Sequence, residues 1–72
     1  MDLSMIGKRI KAAREAAGMT QEELAKKAGI SRPFLSTVET GAAVPTVAKA
    51  VDIAEALETT VDELFTRKGE SA

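Results

Sequence analysis

The chain has no cysteine, histidine, tryptophan or tyrosine, and its aromatic content is two phenylalanines in 72 residues. Without cysteine there are no disulfides and no thiolate metal sites. Without histidine as well, most zinc sites and most nucleophile–base pairs lack the residues they are built from. No phosphate-cradling loop is present, so neither an enzyme nor a cofactor is expected. No apolar run is long enough for a membrane-spanning helix or a signal h-region. The stretch from Met1 to Lys11 mixes Asp2, Lys8, Arg9 and Lys11 with few apolar residues. A cytoplasmic, unprocessed protein with no membrane partner is the resulting expectation.

What is present points to a globular chain, with 44% hydrophobic and 29% charged residues. Alanine supplies much of the apolar share. Small side chains let helices pack closely and favour an all-α domain. A chain this short expects one domain, with stability of only ~3–5 kcal/mol, which dimerisation would raise. The net charge is −1, but it is unevenly spread. Up to Gly41, basic Lys8, Arg9, Lys11, Arg14, Lys26, Lys27 and Arg32 outnumber the acids. Beyond it, Asp52, Glu55, Glu58, Asp62, Glu63 and Glu70 outnumber the bases.

Residues Thr20 to Gly41, TQEELAKKAGISRPFLSTVETG, carry the most information. Thr20 stands three residues before Glu23, the capping-box spacing for a helix start. Leu24, Ala25 and Ala28 share one helical face, and Gly29 suits a left-handed helix end. Ser31 offers a second N-cap almost at once, and Pro33 falls in the first turn, where its missing N–H costs nothing. Leu35 and Val38 fall on the inner side of this next helix, and Gly41 ends it. Two helices joined by so tight a glycine turn form a helix-turn-helix, whose second helix can enter the major groove of DNA.

Around this pair the periodicity predicts three further helices. The first runs from Ser4 to Ala17, with a stripe of Ile6, Ile10, Ala13 and Ala17, and stops at Gly18. Thr46 caps another, with a stripe of Val47, Ala50, Val51, Ala54 and Leu57. After Thr60, VDELF predicts a last short helix whose Val61, Leu64 and Phe65 close the core. Asp62 and Glu63 fall in its first turn, where carboxylates suit the helix dipole rather than a metal. The domain is placed at residues 1–66, followed by a polar tail at 67–72.

The string IGKRIKAAREAAGMTQEELAKKAGIS, then FLSTVETG, then the VDELF ending resembles the lambda Cro/repressor-type helix-turn-helix proteins, the XRE-like regulators. The resemblance spans about Ile6 to Phe65. It implies a compact five-helix, lambda-repressor-like domain in which helices 2 and 3 form the motif. It also implies a sequence-specific transcription regulator, a repressor or autoregulator, that binds double-stranded DNA as a homodimer on a pseudo-palindrome. The same domain also occurs as an antitoxin-like module that binds a toxin or other partner protein.

Site residues follow from the resemblance position by position. Arg32, Pro33, Ser36 and Thr37 match base-contact positions. Arg32 can bond guanine O6 and N7 or grip a phosphate; Pro33 can touch a thymine methyl or stiffen the helix start; Thr37 can offer a hydroxyl or a methyl. Gln21, Ser31, Thr40 and Gly41 match phosphate contacts, Gln21 beside a helix N-terminus. Arg14 and Glu39 match a partly buried structural ion pair. Phe34 can face the DNA backbone or a partner, or pack inward. The loop Ala42-Ala43-Val44 departs from the family, which often has basic residues there, so a shallow salt dependence is expected. Val44 is a candidate for an apolar dimer patch.

Overall fold

A computed structural model describes residues 3–61 and 63–64 of the chain. Four α-helices follow one another: α1 Leu3–Ala16, α2 Gln21–Ala28, α3 Arg32–Thr40 and α4 Val47–Ala56. The domain is all-α, and α3 lies between α1 and α2, while α2 packs on α4. The fully buried side chains Ile10, Leu24, Leu35, Val38 and Ile53 come one or two from each helix. At ~25 cal/mol per Å² of apolar area, each such side chain stabilises by roughly 1.5–3 kcal/mol relative to exposure.

The expectation of five helices is corrected to four among the described residues. After Thr60 the chain makes one capped turn. The Glu63 N–H donates to Thr60 Oγ1 at 3.0 Å, and the Leu64 N–H to the Thr60 carbonyl at 2.9 Å. A first helical turn fixes many dihedrals for few hydrogen bonds and needs a tertiary contact to hold it. This one is held by Leu64, which is buried in the core cluster. Asp62 and Phe65 lie outside the described residues, as do the boundary at 66 and the tail at 67–72.

Two stripes also differ from their sequence expectation. On α1 the buried positions are Gly7, Ile10 and Arg14, while Ala17 is exposed beyond the helix end. Ile6 and Ala13 are partly buried and pack against the core, so the stripe holds as far as Ala13, and the inner face also takes in Gly7 and Arg14. Gly7 lets α1 approach the end of α3. A Cβ there would stand 2.5 Å from the Glu39 carbonyl oxygen and closer still to that of Val38. On α4 the buried positions are Ile53 and Ala54, and Val47 is 82% exposed. Val47 is the first residue of the helix, before α4 reaches the core.

Candidate nucleic-acid interface

The angle between α2 and α3 is set by a three-residue turn with hydrogen bonds at each end. Thr20 and Glu23 form a reciprocal cap on α2: the Glu23 N–H donates to Thr20 Oγ1 at 3.1 Å, and the Thr20 N–H to Glu23 Oε1 at 2.9 Å. Gly29 ends α2 in the left-handed region, φ 72° and ψ 30°, where a side chain would be strained. The Ile30 N–H then closes on the Ala25 carbonyl at 3.0 Å, and Ile30 packs against the core. Ser31 restarts the chain at once, its Oγ accepting the Phe34 N–H at 3.1 Å. A cap of this kind stabilises by about 1 kcal/mol.

With its start held, α3 turns Leu35, Val38 and Glu39 inward and leaves the opposite side open. Arg32, Pro33 and Thr40 are exposed; Ser36 and Thr37 are half-buried. Phe34 is half-buried and packs against the core. The hydroxyls on this face are largely engaged by the helix itself. Thr37 Oγ1 donates to the Pro33 carbonyl at 2.8 Å, and Thr40 Oγ1 to the Thr37 carbonyl at 3.0 Å. The Gly41 N–H likewise points back to the Thr37 and Val38 carbonyls. Ser31 uses its oxygen as an acceptor and keeps its proton for another partner.

Behind the motif, a buried polar network ties three helices together. Arg14 Nε donates to Glu39 Oε2 at 2.8 Å and its Nη2 to Oε1 at 3.2 Å, a bidentate pair. Arg14 Nη1 donates to the Met19 carbonyl at 2.8 Å, in the α1–α2 turn. Gln21 Nε2 donates to Glu39 Oε1 at 3.1 Å. Both ions are 8% exposed, and among the described residues no buried side-chain polar atom lacks a partner. The hydrogen bond to Glu39 holds the Arg14 pKa above its ordinary value. Burial opposes this, and the negative charges of Glu39 and Glu15 add to it. The tie from Gln21 to Glu39 was not legible in the sequence, because the two stand 18 residues apart with no periodic relation. It orients Gln21 beside the first N–H groups of α2, which have no partner within the helix.

The sequence-derived residues therefore separate into groups. Pro33, Thr37 and Thr40 fall on the side of α3 away from Leu35 and Val38, while Arg32 is exposed in its first turn and Ser36 is half-buried. Gln21 lies at the start of α2 and Ser31 at the start of α3, while Gly41 closes the far end of α3. The loop after Gly41 carries no charged residue up to Thr46 and exposes Val44 at 48%. No described helix is long and apolar enough to cross a membrane.

A capped helix pair that presents the second helix outward defines a helix-turn-helix domain. The Helix-turn-helix family model matches residues 10–64. The chain is 41% identical over 64 residues to the HTH-type transcriptional regulator YazB of Bacillus subtilis, spanning 89% of this chain and 93% of that one. The restriction-modification controller protein C.AhdI of Aeromonas hydrophila superposes with a TM-score of 0.87 at 34% identity, covering 89% of this chain and 97% of that one. SinR, in the SinR–SinI protein complex, superposes with a TM-score of 0.82 at 32% identity, covering 93% and 66%. Some relatives are longer; the chain spans 45% of the Mycobacterium tuberculosis regulators that it matches. The chain belongs to the Helix-turn-helix family of DNA-binding transcriptional regulators, which are not enzymes.

Proposed function

We propose that this protein is a sequence-specific repressor or autoregulator that binds a pseudo-palindromic operator as a homodimer in a cytoplasmic, prokaryotic or phage setting. The observation that carries this reading is the outward side of α3, whose polar and small residues stand clear of the core beside the N-terminus of α2. Helix α3 enters the major groove, with Arg32, Pro33, Ser36 and Thr37 at the base edges. Arg32 supplies the fork of N–H donors that suits guanine. Helix α2 lies across the backbone, where Gln21 and the free N–H groups beside it meet a phosphate. Ser31 gives its remaining proton to the same strand. Thr40 meets the backbone at the other end of α3, beside Gly41, its hydroxyl turning from the Thr37 carbonyl to the phosphate. A charged acceptor repays that exchange, because charge-assisted hydrogen bonds are roughly twice as strong as neutral ones. Two copies would read half-sites about one helical turn apart, ~34 Å.

In-vitro selection from random duplexes tests the reading. A palindromic consensus at low ionic strength is expected, and equal affinity for all duplexes would refute it.

A second reading, an antitoxin-like or other protein-binding module, is favoured by the exposure of Val44 and Val47 at the α3–α4 junction. SinR, a similar fold, is seen in complex with SinI. Co-purification with the product of the neighbouring gene is its test; a protein that elutes alone and binds its operator unaided would exclude it.

A further inference from the structure

Glu39 turns inward from the last turn of α3, yet one of its hydrogen bonds comes from a side chain that the proposed function sets against DNA. Its carboxylate is only 3% exposed and receives three donors. Arg14 supplies two of them, from Nε at 2.8 Å and from Nη2 at 3.2 Å. Gln21 Nε2 supplies the third at 3.1 Å, to the same Oε1 that takes Arg14 Nη2. Gln21 itself is half-buried and opens α2, so its amide lies at the rim of the buried network.

A glutamine amide has one accepting end and one donating end, and a free glutamine presents either to its surroundings. A carboxylate only accepts, so Glu39 selects the nitrogen end. Nε2 carries two N–H groups in one rigid plane. With the first held by Glu39, the second is fixed in direction and faces away from that carboxylate. A phosphate oxygen also only accepts, and a fixed N–H suits it without the cost of ordering a free side chain on binding. A lone carboxylate so near would repel the phosphate. Arg14 pairs with Glu39 through both oxygens, so the pair is neutral and its repulsion is small.

We propose that Glu39 is a positioning residue for DNA: it holds one Gln21 N–H inward so that the other meets the phosphate, while Arg14 cancels the charge that would oppose that contact. The buried pair then serves the DNA grip as well as the core. This rests on the proposed function, in which Gln21 meets a phosphate.

The test uses the full chain and the duplex obtained by selection, with single phosphates replaced in turn by methylphosphonate, which removes the charge and one oxygen. The affinity penalty at the phosphate that Gln21 meets should be about tenfold, the weight of a hydrogen bond to a charged group. Gln21→Ala locates that phosphate as the one where the penalty falls most. The double variant Arg14→Met/Glu39→Leu keeps the net charge and leaves Gln21 in place without its anchor. There the penalty at the same phosphate should shrink about threefold, because the glutamine must now be ordered on binding. Penalties at the other phosphates should stay as in wild type, a selectivity that a purely structural role would not produce. The wild-type protein gives a second measurement that needs no variant. In the NMR spectrum of the Gln21 side-chain amide, one Nε2 proton should shift on adding the duplex and its twin, held by Glu39, should move far less. An undiminished penalty at that phosphate in the folded double variant overturns this inference, as do two amide protons that shift alike or not at all. No change at any phosphate in Gln21→Ala overturns it as well. In each of these cases a retained preference for the selected site leaves the proposed function standing, whereas a wild-type protein with no preference among duplexes overturns both.

Discussion

Replacing Glu39 by alanine should cost this domain most of its stability, although the residue touches no apolar core partner by its charge. Glu39 accepts two hydrogen bonds from Arg14 and one from Gln21, all from behind the motif. Truncation leaves the Arg14 guanidinium with the Met19 carbonyl and the exposed carboxylate of Glu15, 3.9 Å away. An exposed pair of that kind is worth little. Removing one partner of a buried pair costs ~3–5 kcal/mol. Arg14 lies close enough to the surface to swing partly into water, so the lower end, ~3 kcal/mol, is the expected loss. For a domain of this size each kcal/mol lowers the melting temperature by roughly 4–8 °C. Glu39→Ala should therefore melt at least ~12 °C below wild type, followed by circular dichroism. The double variant Arg14→Met/Glu39→Leu should recover most of that loss, because an apolar pair of similar volume removes both charges together. A melting temperature for Glu39→Ala within ~3 °C of wild type would refute the reasoning. Raising the pH is no substitute for the mutation. The Arg14 pKa is raised, so its contribution is complete below the unfolded value and is lost only as pH climbs through the folded one, beyond ordinary buffers.

Gly7→Ala should destabilise by roughly 2 kcal/mol, although alanine is the better helix former by ~1 kcal/mol, because the new methyl meets backbone carbonyls that no rotamer change can clear. A rise in denaturation midpoint would show that α1 and α3 part at little cost. Glu58 holds a left-handed φ of 59° just after α4, so Glu58→Gly should stabilise by about 1 kcal/mol in the same assay; no gain would mean that its side chain offsets the strain. Arg32→Ala should keep the wild-type melting temperature and lose ~1–3 kcal/mol of discrimination in gel shifts between selected and scrambled duplexes. Unchanged preference would remove Arg32 from base reading. Gln21→Ala should weaken all duplexes about equally and also lower stability by ~1 kcal/mol, through the lost bond to Glu39. A loss confined to one duplex would argue against a phosphate role.

The helix-turn-helix was legible in the sequence because its signals are local. Thr20 with Glu23, Gly29, Ser31 with Pro33, and Gly41 each act within a few residues of themselves, so spacing alone locates α2 and α3. The inner positions Leu24, Ala25, Ala28, Leu35 and Val38 follow from the same period. What only the tertiary structure decided involves partners far apart in the chain. How closely α1 approaches the end of α3 depends on Gly7, and no hydrophobic count weighs a missing side chain. Arg14 takes an inner position because Glu39 and Met19 are there to receive it. The tie of Gln21 to the same carboxylate follows from that meeting. The length of α4 and the turn after Thr60 depend on where Ile53 and Leu64 reach the core, not on the apolar run itself. Caps and periods are properties of neighbours along the chain; close approach and charge pairing exist only once α1, α2 and α3 have been brought together.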